Sequence, residues 1–183
     1  MATVTFKKDI VCNLAGNEIN VGDMAPVVTV VNCNPMLQNE TIGGAKDKAQ
    51  LVIVVPSLDT PVCDAETRRF NKDAAGIAGV EVSVVSMDLP FAATKFCSTA
   101  AIENLKVCSD FRNKDFANAY GMLLADGPLA GLTCRAIFVI GTDGKVCYKE
   151  LVPEITAEPD YDAALEAARG NAGSTCCGGG HCS

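Results

Sequence analysis

Apolar residues are gathered into short runs that polar and glycine-containing stretches interrupt. Residues 51–55 (LVIVV) form a continuous apolar run, the pattern of a strand buried on both faces. Residues 80–86 (VEVSVVS) form a second such strand, and residues 64–77 between them have helix-forming composition, followed by Gly79. Strand, helix, strand is a βαβ unit. Upstream, residues 26–32 (PVVTVVN) read as a short β-branched strand. Residues 3–6 and 19–21 flank a polar, glycine-containing turn and predict an N-terminal β-hairpin, while 34–50 reads as a loop with room for one helical turn. Downstream, a helix is predicted over 91–102 with Pro90 suited to its first turn, and a shorter one over 114–120 that stops at Gly121. Residues 136–140 (AIFVI) and 146–151 (VCYKEL) flank Gly141-Thr142-Asp143-Gly144, a hairpin signal, and 159–168 reads as a last helix. The expected fold is α/β: a central mixed sheet flanked by helices, with an N-terminal β-hairpin. It occupies residues 1–170 as one domain. Residues 171–183 (NAGSTCCGGGHCS) have no core-forming content and are expected to form a flexible Cys/Gly-rich tail.

Composition narrows the function classes. The 183 residues suit one domain, and 49% hydrophobic against 20% charged residues excludes wholesale disorder. A net charge of −7 argues against a nucleic-acid partner, and no apolar run approaches the ~18 residues of a membrane span. The N-terminus has no secretory signal pattern, so a cytoplasmic location is expected. Ten cysteines would permit five disulfides, but ten in 183 is sparse for a disulfide scaffold, so most are expected to be reduced thiols. The one histidine, His181, lies three residues from the end, which leaves the folded body without a Ser-His-Asp or Cys-His pair.

The most informative stretch is Val55-Pro56-Ser57-Leu58-Asp59-Thr60-Pro61-Val62-Cys63-Asp64. A buried strand ends here and a helix begins, with Thr60 suited to the N-cap and Pro61 to the first helical position. Cys63 then falls in the helix's first turn, where free N–H groups and the positive dipole end favour a thiolate. Residue types alone leave Cys63 open between a nucleophile and a small apolar residue packing a helix start.

Pro56-x-x-x-Thr60-x-x-Cys63 is the peroxidatic motif of peroxiredoxins, and the chain resembles one subfamily of them, the bacterial thiol peroxidases. These are atypical two-cysteine peroxiredoxins with a thioredoxin-like fold. The resemblance runs from Thr3 to about Ala168 and is carried by PSLDTPVCDAETRRFN, SMDLPFAATKFC, YGMLLADGPLAGLTCRAIFVI and VPEITAEPDY. It implies a thiol peroxidase reducing hydrogen peroxide and organic hydroperoxides without a cofactor. By matching position, Cys63 is the peroxidatic nucleophile, Thr60 hydrogen-bonds thiolate and peroxide, and Pro56 shields the site. Arg135, 72 residues after Cys63 at the start of a core strand, matches the arginine held against the thiolate; the alternative for it is a solvated strand end. Cys97 matches the resolving cysteine, which closes an intramolecular disulfide with Cys63. The implied partners are a thioredoxin or similar dithiol reductant and a second copy in a homodimer. Arg68 and Arg69 are expected in solvent or ion pairs.

Cys12, Cys33, Cys108, Cys134 and Cys147 match no motif and are expected to be structural. The tail cluster Cys176, Cys177, His181 and Cys182 stays open between a redox arm, a soft-metal binder and an inert segment. Two other functions compete. A thioredoxin-like disulfide oxidoreductase would need a second cysteine in Asp64-Ala65-Glu66, which has none. A metal-handling protein built on the tail would leave the Pro56–Cys63 turn and Arg135 unexplained.

Overall fold

The computed structural model describes residues 2–74 and 76–173. In chain order the elements are β1 (Thr3–Phe6), β2 (Ile10–Ala15), β3 (Val28–Cys33), β4 (Met36–Ile42), β5 (Ala49–Val54), α1 (Pro61–Ala74), β6 (Val80–Ser86), α2 (Pro90–Ala100), β7 (Lys106–Ser109), α3 (Asp115–Ala119), β8 (Leu123–Leu124), β9 (Ala136–Ile140), β10 (Val146–Leu151) and α4 (Tyr161–Gly170). Seven strands form the main sheet in the order β10-β9-β5-β6-β7-β3-β4. The β5-β6-β7 ladder is parallel and the remaining pairs are antiparallel, the mixed sheet expected from the sequence.

Period-two alternation in β5 divides the core into two layers. Leu51, Ile53 and Val55 face the layer that holds Cys63 and Phe70 of α1, Cys97 of α2, and Ala164 and Leu165 of α4. Val52 and Val54 face the other layer, with Phe116 of α3, Tyr120, and Val4, Cys12 and Leu14 of the small β1-β2-β8 sheet. Every residue of β5 and β9 is buried, which is why residues 51–54 and 136–140 read as unbroken apolar runs. Gly144, at φ 86°, turns the β9–β10 hairpin; a Cβ there would lie 2.7 Å from the backbone nitrogen of Ala45.

Two expectations need correction. The N-terminal hairpin pairs β1 with Ile10–Ala15, not with residues 19–21. Its turn is built by Lys7 and Lys8, both left-handed at φ 53° and 69°, so no glycine marks it. Residues 34–50 are not a loop: they carry β4, an edge strand whose polar, mostly exposed residues (MLQNETI) lack alternation, and the start of β5.

Glu154 fastens the lysine turn, accepting from Thr5 Oγ1 at 2.7 Å and from the Lys7 and Lys8 amides at 3.1 and 3.0 Å. Partial desolvation works to raise its carboxyl, but hydrogen bonds from Thr156, Thr5 and the Lys8 amide outweigh it and hold the group down at about 2. A lowered carboxyl stabilises the fold above its unfolded value and loses that contribution as pH falls through the folded one. Glu154→Gln is therefore expected to lower Tm at neutral pH, and the gap from wild type should narrow as pH drops from about 5 to about 2 in thermal melts.

Candidate active site

β5 and β9 are antiparallel, with Val54 opposite Ala136. The chain leaves β5 through Val55 and Pro56 and enters β9 through Cys134 and Arg135. The turn into α1 and the Arg135 side chain thus emerge at one end of one strand pair. Thr133 Oγ1 ties the two segments by donating to the Val55 carbonyl at 2.7 Å.

Pro56 is buried at the strand end. Asp88 shapes the next turn: its carboxylate accepts from Ser57 Oγ and from the Leu58 amide, each at 2.7 Å. Thr60 occupies the cap position of α1, its carbonyl accepting the Asp64 amide at 2.9 Å. Its hydroxyl donates to the Ser57 carbonyl at 2.9 Å, so donation to a thiolate or peroxide requires rotation about χ1.

Cys63 follows in the first turn of α1 and is fully buried, at 0% exposure. Arg135, only 2% exposed, spends its guanidinium three ways. Nε donates to the Ile155 carbonyl at 2.9 Å, Nη1 to Glu66 Oε2, and Nη2 to Cys63 Sγ at 3.3 Å. The solvated strand end is thereby excluded for Arg135. Arg68 and Arg69 instead pair along the helix with Asp64 and Asp73, each at 2.6 Å. The Arg135 cation thus donates directly to the sulfur at the helix start.

An open cleft of about 640 Å³ lies between the start of α1 and α2, lined by Leu58, Thr60, Pro61 and Asp64 on one side and Ala92 and Phe96 on the other. Cys97 sits in the last turn of α2, and it packs in the same core layer as Cys63. Both thiols are free. Burial pushes the Cys97 thiol up. The start of α2 has Pro90 at its first position but no side-chain cap from Leu89, and its end is closed by Ala101, left-handed at φ 53°, with the Ala101 and Ile102 amides donating to the Cys97 carbonyl.

Cys12, Cys33, Cys108 and Cys134 are buried free thiols, and burial pushes Cys33 and Cys134 up to about 12. Cys147, half-buried on β10, is disulfide-bonded. The candidate cluster Cys176, Cys177, His181 and Cys182 lies outside the described residues. Among those described, no group of three or more His, Cys, Asp or Glu side chains could hold a metal ion, and no helix is long and apolar enough to cross a membrane.

Sequence reasoning missed two members of this site. Asp88 carries no local signal. Glu66 had one: it lies three residues after Cys63, on the same helix face.

The Redoxin family profile matches residues 20–165. The chain is 52% identical over 182 residues to a thiol peroxidase of Campylobacter jejuni, covering 100% of this chain and 99% of the relative. It is 50% identical over 167 residues to one of Aquifex aeolicus, covering 91% and 96%. The crystal structure of a peroxiredoxin-like protein from Aquifex aeolicus superposes with a TM-score of 0.88 at 49% identity, covering 93% of this chain and 97% of that one. At 20% identity, a thiol peroxidase from Chromobacterium violaceum shares the fold with a TM-score of 0.80, over 91% and 95% of the two chains. A thioredoxin-like oxidoreductase or metal-handling role is not favoured by any of these likenesses. With a cysteine at a helix start beneath a buried arginine, and relatives of this kind along its whole length, the chain belongs to the Redoxin family and is a thiol-dependent peroxidase of the peroxiredoxin type.

Proposed function

We propose that Cys63 is the peroxidatic nucleophile and Cys97 its resolving partner. The observation that carries this reading is the Arg135 Nη2 to Cys63 Sγ contact of 3.3 Å inside a fully buried helix start. A thiolate there attacks one peroxide oxygen. The O–O bond breaks, sulfur gives up two electrons and becomes a sulfenic acid, and the other oxygen leaves as water or an alcohol after gaining a proton. Arg135 stabilises the charge that spreads over the two oxygens, and Thr60, once its hydroxyl rotates, hydrogen-bonds thiolate and peroxide. Pro56 keeps water from the thiolate.

The Cys97 thiol then condenses with the sulfenic acid, releasing water and forming the Cys63–Cys97 disulfide. Both cysteines start within helices, so bond formation requires local unwinding that releases the Cys97 carbonyl from its cap bonds. A thiol reductant reopens the bond, and we assign that role to a thioredoxin-like dithiol. A homodimer completes the reading, supported by Leu89 and Phe91, which leave α2's first turn apolar and 56% and 64% exposed. Four buried free thiols, Cys12, Cys33, Cys108 and Cys134, against one disulfide-bonded cysteine, Cys147, support a reducing, cytoplasmic setting.

The test is peptide mapping after one equivalent of peroxide, with far-ultraviolet circular dichroism before and after. Wild type should yield the Cys63–Cys97 disulfide and lose helix signal. Cys97→Ser should still consume one equivalent but lose nearly all sustained thioredoxin-driven turnover. Undiminished turnover by Cys97→Ser, or a disulfide formed with unchanged helix content, would reject the resolving role or the unwinding.

A further inference from the structure

Peroxide reduction leaves a charge that needs an owner. When a thiolate becomes a neutral sulfenic acid, one negative charge leaves the sulfur, and the departing oxygen needs a proton. The structure places an unused acid one side chain away. Glu66 has 0% exposure, its Oε2 accepts from Arg135 Nη1, and its Oε1 is buried without any hydrogen-bond partner.

Three ionisable groups therefore share one buried pocket. With thiolate, guanidinium and carboxylate all ionised, the pocket would carry an uncompensated negative charge, and one orphaned carboxylate oxygen would remain. Buried charge without a counter-charge is strongly disfavoured, and so is an unpaired buried polar atom. Adding one proton to Glu66 removes both penalties. After oxidation, the balance reverses: sulfenic acid is neutral, so an ionised Glu66 now neutralises Arg135.

The groups facing Glu66 from other elements reinforce this. Glu150 of β10 and Glu158 before α4 both push its carboxyl up, and Tyr161 of α4 also lies in its field. Against these, Arg135 of the β9 entry pulls it down. Burial is the largest influence, and the carboxyl ends up at about 7.

We propose that Glu66 is the proton-holding positioning residue of this site: it carries a proton while Cys63 is a thiolate paired with Arg135, and releases that proton as Cys63 becomes a sulfenic acid. This rests on Cys63 being the nucleophile. The balanced step joins Cys63 thiolate, Glu66 carboxylic acid and hydroperoxide to give Cys63 sulfenic acid, Glu66 carboxylate and alcohol or water. Sulfur loses two electrons to the O–O bond, and the proton count of the leaving oxygen matches the one Glu66 gives up. Arg135 stays a cation throughout.

The experiment counts protons. In a Cys97→Ser background, which halts at the sulfenic acid, one equivalent of hydrogen peroxide is added at about pH 6.5 in weak buffer with an indicator dye, below the value at which Glu66 ionises. Dimedone trapping and mass spectrometry count Cys63 adducts in parallel. With Glu66 present, no net proton should be taken from solution. With Glu66→Gln, one proton should be taken up for each Cys63 oxidised, because the leaving oxygen must draw on bulk water. Equal counts in the two proteins overturn the proton-holding role, since a merely structural Glu66 leaves stoichiometry unchanged. Absence of a Cys63 adduct in both overturns the nucleophile assignment itself. Should Glu66→Gln fail to fold, infrared difference spectra of the Cys97→Ser protein with isotopically labelled glutamate decide. Loss of a protonated-carboxyl band on oxidation is expected, and no change in that band overturns the inference.

Discussion

Cys63→Ser is expected to remove peroxide turnover while leaving the protein folded. A serine oxygen at this position neither attacks a peroxide oxygen usefully nor forms a disulfide, so nothing else at the site replaces it. Deleting a nucleophile in a working constellation costs on the order of 10³-fold or more. The swap is nearly isosteric, and the Arg135 donor keeps an acceptor, so stability should change by only about 1 kcal/mol. A thioredoxin-coupled peroxide assay and a thermal melt read the two effects separately. Substantial turnover in Cys63→Ser protein ends the proposed reading.

Arg135→Met should damage both activity and stability, for different reasons. Activity falls because the cation over Cys63 Sγ is gone, and losing one such preorganised donor costs about 10²–10³-fold. Stability falls because Glu66 is left in the core with no partner on either oxygen. Breaking a buried pair from one side costs about 3–5 kcal/mol, which for a domain of this size lowers Tm by roughly 10 °C. The loss should depend on pH. Burial already raises the Glu66 carboxyl in the folded protein, and removing Arg135 raises it further. A raised carboxyl contributes fully below its unfolded value, and that contribution drains away as pH climbs through the folded one. The Tm deficit should therefore be small at about pH 4.5 and grow toward pH 8. The double variant Arg135→Met with Glu66→Met should recover most of the Tm and none of the activity. A single variant with unchanged Tm at pH 8 contradicts the buried-pair account.

Much of this frame is legible in the chain itself, wherever burial writes an unambiguous pattern. β6, β9 and β10 fall on the predicted bounds because VEVSVVS and AIFVI are largely apolar or β-branched and VCYKEL follows AIFVI across a glycine-bounded turn. β4 escapes because an edge strand is free to be polar on both faces, and MLQNETI then looks like a loop. The first hairpin is not legible because its turn rests on two left-handed lysines held by a carboxylate nearly 150 residues away. At the site, Pro56, Thr60 and Pro61 punctuate the turn that presents Cys63, so its place at a helix start is readable. Arg135 stands out as the one charge leading into an apolar strand. Asp88 does not stand out, and Glu66 shows only its place one turn after Cys63. Their roles come from contacts with Leu58 and Arg135 that bring distant parts of the chain together.

The two cysteines stand on backbone of unequal firmness. Cys63 and Arg135 leave from one end of β5 and β9, strands buried along their whole length, and their separation is set by hydrocarbon packing in the centre of the domain. Cys97 belongs to a helix whose start has no side-chain cap and leaves Leu89 and Phe91 exposed. The protein therefore has two opening free energies: a global one that protects the geometry of attack, and a smaller local one that governs disulfide closure. Modest warming or mild denaturant acts on the smaller first. Partner exchange at sulfur can then quicken under conditions that leave the nucleophile's pocket undisturbed.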